Sequence, residues 1–274
     1  MVTKRIELPM GNSLKLAVTS LRLLLFLFLF VLDRLNLMEI YRKNLIISAD
    51  DFGANEKANE NILQLIRLGK IDRVSVMMDG SWKEEETQEL LGSGIKLDIH
   101  LHTGNPDDWN RKSSKRDHLF LRVGKFLKDY FSNNLDRRKV YKDWEAQILK
   151  FKETFGKVPD GLNSHEHFHF FPPYFRLAIR LYKKYEIKYF RFGKSGVVKH
   201  KSVGGLVALI LRQLWTLDRK HFRRNLAPSS DLLLSFDWIR NPEEFLGGIS
   251  RRVLVEVVFH PERDEEYGFL LQSI

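Results

Sequence analysis

Apolar and polar positions along the chain follow two regimes that meet near Tyr41. Before it, Leu23 to Leu32 reads Leu-Leu-Leu-Phe-Leu-Phe-Leu-Phe-Val-Leu, with Lys15 and Arg22 ahead of it and Asp33-Arg34 behind. The run is shorter than the ~20 apolar residues that a membrane-spanning helix needs. A basic flank and a short apolar centre suit a secretory signal, but no small-residue cleavage site follows. An interfacial anchor is a second reading. The plain reading is an extra apolar helix packed on the domain or on a partner chain. Residues 1–40 are therefore set apart as an apolar extension expected to associate with a membrane surface, and 41–274 as one folded domain.

After Tyr41 strand and helix patterns alternate. Leu45-Ile46-Ile47 is a β-branched apolar run that leads into Ala49-Asp50-Asp51-Phe52-Gly53. From Asn55 to Leu68, Ala58, Ile62, Leu65 and Ile66 recur at helical spacing, and Gly69 suits the position just past a helix end. The pattern then predicts strands at 74–78, 97–102, 162–165, 187–192, 232–236 and 253–259. It predicts helices at 82–91, 140–155, 204–217 and from Pro172-Pro173 through Tyr185.

Such alternation argues for a parallel sheet with crossover helices. Asp50/Asp51, His100/His102, His165 and His260 all fall at or just past the C-terminal ends of predicted strands. A (β/α) barrel assembles its site from those ends, as an open doubly wound sheet also does at one edge. The expected fold is α/β, a distorted TIM-like barrel of mostly parallel strands.

Composition removes several chemistries. The 274 residues include no Cys, so disulfides, thiolate ligands and Cys nucleophiles are excluded, and a metal must be held by nitrogen and oxygen. The formal charge of +10 comes partly from Arg111 to Arg116 and from Arg219, Lys220, Arg223 and Arg224. No zinc-finger spacing or RNA-recognition signature accompanies it, so basic surface is preferred to specific nucleic-acid binding. Gly-x-Ser-x-Gly, P-loop and dinucleotide fingerprints are missing too.

Three motifs remain. Asp50-Asp51 at a strand-to-loop bend brings two carboxylates toward one cavity, where a metal would relieve their repulsion; alternatively, either residue caps the next helix. His100-Leu101-His102 puts two imidazoles on one strand face, suited to a metal or a proton relay, although a hydrogen-bonded structural histidine is common. In Ser164-His165-Glu166-His167-Phe168-His169, three of the chain's 9 histidines alternate before Pro172. One can bind metal while the others hold substrate or buttress the loop. Together these are the ligands of a metal hydrolase.

In this order the motifs resemble the YdjC-like (ChbG/HpnK) carbohydrate deacetylases, from about Leu45 to Pro261. Ser75-Val76-Met77-Met78, Glu145-Ala146-Gln147-Ile148 and Glu256-Val257-Val258-Phe259-His260-Pro261 are smaller echoes. The resemblance implies a distorted (β/α) barrel that removes acetyl groups from N-acetylated sugars. It maps one divalent ion, Mg or Zn in first place, to Asp51, His100 and His165, and the catalytic base to Asp50. His260 is the expected acid, ahead of His167 or His169, and His102, His167 and His169 the expected substrate contacts. Asn163 stands where many relatives have Asp, and His102 where they often have Asn. A catalytically silent carbohydrate- or metal-binding relative is the alternative. A cytoplasmic location at the membrane periphery and a homodimer complete the expectations.

Overall fold

The computed structural model describes residues 44–103, 136–196, 203–225, 227–239, 241–247 and 252–273. The expected extension at 1–40 and the basic stretch Arg111 to Arg116 lie outside them.

The described strands are β1 (Leu45–Phe52), β2 (Arg73–Val76), β3 (Lys96–Leu101), β4 (Gly161–Ser164), β5 (Tyr189–Phe190), β6 (Lys194–Ser195), β7 (Leu232–Ser235) and β8 (Val255–Phe259). They form one parallel sheet in the order β5-β4-β3-β2-β1-β8-β7-β6, the cyclic order of a (β/α) barrel. The distortion sits between β5 and β6, where Arg191-Phe192-Gly193 replaces a crossover helix. Arg191 N–H donates to the Leu162 carbonyl within β4, and Lys194 N–H to that of Asp231 before β7. One bent segment thus serves both edges of the sheet. The strand expected at 187–192 is reduced to Tyr189–Phe190, and β6, which was not foreseen, follows it because the segment changes neighbours after Phe190.

Helices α1 (Glu56–Arg67), α2 (Glu84–Gly92), α3 (Arg137–Phe155), α4 (Pro172–Lys184), α5 (Val203–Asn225), α6 (Pro242–Gly247) and α7 (Asp264–Ser273) lie between and after the strands. Local chemistry sets their ends. Asn55 caps α1 by accepting from Ala58 N–H, and α3 stops at Gly156 in the left-handed conformation. Helix α5 runs eight residues past its expected end, because Asp218 to Asn225 lack a breaker and Phe222 packs on Phe192, ring centroids 5.0 Å apart. Helices α6 and α7 were not foreseen. The latter follows His260-Pro261 and packs on α1, with Tyr267 donating to Gln64 at 2.6 Å.

Apolar burial fills the layer between sheet and helices: Ile47, Val74, Leu97 and Ile99 from strands meet Ile62, Leu65, Trp144 and Phe151 from helices. Phe170, Phe175, Phe190 and Phe192 form an aromatic cluster under α4 and α5. Truncating one such ring costs roughly 3–5 kcal/mol. Inside the strand ring the filling is different. Asp98, Arg191 and Glu256 are fully buried there, where barrels usually stack branched apolar side chains.

Candidate metal centre

The register of β1 against β2 explains how two adjacent aspartates serve one site. Ala49 pairs with Val74 and Phe52 with Val76, so β1 carries one extra residue across that interval. This bulge holds Asp50-Asp51, and Asp51 takes a φ of 70°, uncommon for a residue with a side chain. In a regular strand the two carboxylates would point to opposite faces; the bulge re-aims them. Strained backbone recurs at Glu166 (φ 53°) and His167 (φ 56°), within the 3-10 segment His165–Phe170 that follows β4. Non-glycine residues held at positive φ concentrate at functional sites.

Asp51 Oδ1 lies 3.2 Å from His100 Nε2 and 3.1 Å from His165 Nδ1. One ligand atom from each of the three residues fits within a 4.8 Å span. Burial alone would raise the Asp51 carboxyl, but His165 and then His100 outweigh it and hold it well below the usual range. Two imidazoles and a carboxylate in this span are a donor set for a divalent ion. Behind them, His100 Nδ1 is hydrogen-bonded to Asn163 Oδ1, and Asn163 Nδ2 donates to Ser75 Oγ at 2.9 Å. The Asn163 contact at Nδ1 orients the imidazole and leaves Nε2 for the site, while Ser75 fixes the Asn163 amide.

Asp50 belongs to a different set. Its two oxygens accept from Arg191 Nη1 at 2.6 Å and Nη2 at 2.9 Å. Arg191 Nε donates to Glu256 Oε1 at 2.7 Å, and Glu256 also accepts from Ser48 and Tyr189. Burial pushes Asp50 upward, yet Arg191 and then His100 prevail and keep it ionised far below an ordinary carboxyl. Arg73 repeats the device with Asp98, and its guanidinium stacks 4.2 Å from the Tyr189 ring centre.

A YdjC-like protein family model matches residues 44–273. The chain belongs to the YdjC-like family. Among curated proteins it is similar to carbohydrate deacetylases of Oceanobacillus iheyensis (30% identity over 146 residues, 52% of this chain and 61% of that one) and of Homo sapiens (24% over 156 residues, 55% and 48%). It is also similar to a chitooligosaccharide deacetylase of Salmonella paratyphi B (28% over 140 residues, 50% and 54%). The chain spans about half the length of the curated relatives it matches.

The remaining histidines of this YdjC-like chain take distinct places. His260, just past β8, receives a 3.4 Å ion pair at Nδ1 from Glu266, whose carboxylate also accepts from the His260 N–H. Burial and Arg263 oppose the charge, but Glu266 overcomes them and His260 is pushed up to about 9. His102 Nε2 lies 3.1 Å from Asp79, and Gln147 clamps the His102 backbone from α3. His167 is half-buried with its ring edge on Trp238, and burial, aided by Arg191, pushes it down to about 3. His169 is fully buried, with Nδ1 on Ser164 Oγ at 2.7 Å and Nε2 on the Arg191 carbonyl at 2.6 Å. Neither His169 nitrogen is left for a sugar. The expected contact at His169 is replaced by a brace that fixes the Arg191 backbone.

Sequence reasoning did not single out Arg191, Asp79 or Glu266, and noted Glu256 only as part of the motif Glu256 to Pro261, with no role. A usable signal existed for Arg191 and Glu256. Arg191 between Phe190 and Phe192, and Glu256 between Val255 and Val257, are charges inside apolar strands, which points to a buried pair.

Proposed function

We propose that this YdjC-like chain is a metal-dependent N-deacetylase of carbohydrates, releasing acetate from N-acetylated sugars that are free oligosaccharides or linked to lipid. The observation that carries this reading is the convergence of Asp51, His100 and His165 within 4.8 Å, beside an ionised Asp50 on the same strand. The names of the curated relatives supply the substrate class.

A divalent ion held by Asp51, His100 and His165, Mg or Zn in first place, would polarise the acetamide carbonyl and acidify a water molecule. The chain's own groups do the rest. Asp50 accepts the proton of the attacking water, because each carboxylate oxygen keeps a lone pair beyond the Arg191 contacts. Arg191 fixes the direction of that carboxylate and keeps it charged. His260, an imidazolium at neutral pH, donates a proton to the departing nitrogen, so that acetate and a free amino sugar result. His167 and His169 are held too low to carry that proton. His167, on the half-buried rim against Trp238, and His102, near Asp79, are the substrate-side histidines in this reading.

The domain 41–274 carries the chemistry, while residues 1–40 attach it to a membrane surface from the cytoplasmic side. Among the described residues no helix is long and apolar enough to cross a membrane. The decisive experiment is acetate release from N-acetylated chito-oligosaccharides, with and without chelator. Release that chelator abolishes and divalent ion restores supports the reading. Bound metal without release from any N-acetylated sugar would favour a silent binding protein.

A further inference from the structure

The ligand set and the Asp50 set meet at one oxygen. Ser75 Oγ accepts from Asn163 Nδ2 at 2.9 Å and from Arg191 Nη2 at 3.2 Å. Asn163 leads through its Oδ1 to His100 Nδ1, and Arg191 leads through the same Nη2 to Asp50 Oδ1 at 2.9 Å. His100 Nδ1 in turn lies 3.9 Å from Asp50 Oδ2. Ser75, Asn163, His100, Asp50 and Arg191 thus stand in one ring of polar contacts.

Sheet register explains why Ser75 can occupy that place. On β2 it pairs with Asp98 of β3, two residues before His100, and His100 pairs with Asn163 of β4. Alternation therefore puts Ser75, His100 and Asn163 on the face that Asp98 shares inside the strand ring. Arg191 reaches the same interior from the bent segment after β5. All five side chains are buried, so a group that loses its partner there bears its full desolvation cost.

The chemistry of the donors gives the ring a direction. A guanidinium only donates, so Ser75 offers one lone pair to Arg191 and the other to the Asn163 amide. Asn163 turns its carbonyl to His100, whose Nδ1 carries the ring proton and whose Nε2 keeps a lone pair for a cation. Without the hydroxyl, the buried amide loses the acceptor that tells its two ends apart. Turned over, its NH2 would face Nδ1 and place the ring proton on Nε2, the atom that has to hold metal. The same loss takes from Arg191 Nη2 one of its two acceptors, and the fork that aims the Asp50 carboxylate loses a fixed point.

We propose that Ser75 is a positioning residue that joins the two halves of the site, holding a metal ligand through Asn163 and the base through Arg191 with a single hydroxyl. Ser75 acts through these two neighbours and not on substrate. The base half of this role rests on the deacetylase reading; the metal half rests only on the ligand cluster.

Threonine and valine share a shape and differ in the hydroxyl, so Ser75→Thr and Ser75→Val separate the hydrogen bonds from the cost of added volume. Zinc affinity is measured by calorimetric titration of the full chain, and acetate release from N-acetylated chito-oligosaccharides at saturating metal. The Val variant should bind zinc about tenfold more weakly than the Thr variant, as when an orienting partner is lost. Its turnover at saturating metal should also fall roughly tenfold, through misplacement of the base. In an Asn163→Ala background the same comparison should show no further loss of zinc affinity but should keep the loss of turnover, because only the Arg191 arm remains. Equal zinc affinities of the Thr and Val variants, or in an active wild type a loss confined to one half, would overturn the role. Ser75→Ala, which adds no volume, gives the same two readings if the larger side chains lower the melting temperature. A wild type that binds neither zinc nor magnesium would remove the metal half outright. If the wild type binds metal and releases no acetate, the deacetylase reading fails by itself, and the Arg191 arm is read from denaturant midpoints. There the losses from Ser75→Ala and Arg191→Lys should be less than additive, and additivity would overturn the junction.

Discussion

Arg191 holds Asp50 by two parallel hydrogen bonds, of 2.6 and 2.9 Å, with both groups removed from solvent. The pair joins the bent segment between β5 and β6 to the bulge in β1, so the irregular part of the barrel fixes the second aspartate of the site. Removing one partner leaves a charge buried without compensation. Arg191→Met should cost about 3–5 kcal/mol by chemical denaturation. Arg191→Lys keeps the charge but not the planar fork. It should cost less stability yet still lower the rate of acetate release.

Asp50→Asn is expected to leave divalent-ion affinity nearly unchanged, because Asp50 belongs to the Arg191 set and not to the ligand cluster. Turnover should fall by roughly 10²–10⁴ if Asp50 accepts the proton. Calorimetric titration with metal and an acetate assay on the same sample separate the two quantities. Retained turnover would remove Asp50 from that role.

Asn163 touches no expected ligand atom of the centre, yet it orients His100 through Nδ1. Asn163→Ala should weaken metal affinity about 10–100-fold, the usual consequence of losing an orienting partner. His165→Ala, which removes a donor outright, should weaken it more. Equal affinities for the wild type and Asn163→Ala would show that Asn163 does not orient the ligand.

The His260–Glu266 pair gives a pH signature with a definite sign. The folded value of about 9 lies above the ordinary 6.5, so the pair's stabilisation is complete below pH 6.5. It is lost as pH rises through about 9. The melting temperature should decline over that window, and His260→Asn should flatten the decline. Acetate release should fall over the same basic range if His260 is the proton donor. Asp50, held far below an ordinary carboxyl, should add no acidic limb to the profile above pH 4.

Much of the frame was legible in the sequence because its signals are local. The 3.6-residue recurrence of Ala58, Ile62 and Leu65 gave α1, and Pro172-Pro173 gave the start of α4. The helix α7 was hidden by its weak amphipathicity and by a start rich in acidic residues, Asp264, Glu265 and Glu266, that read as loop. The end of β5 at Phe190 and the short β6 after it had no local signal, since they depend on which neighbours that segment meets.

The sequence by itself determined which candidate donor residues the chain carries and their order along it. Asp51, His100 and His165 stand at strand ends, and a parallel barrel must bring such ends to one face. Only the tertiary structure decided what each polar group faces. His169, one of three alternating histidines, turned out to be a buried brace, whereas Arg191 and Glu256 became the support of Asp50. The physical reason is that a buried charge is stable only beside a partner, and those partners lie up to 208 residues away in the chain, as Ser48 and Glu256 do. Periodicity records which side of an element is covered; it does not record by whom.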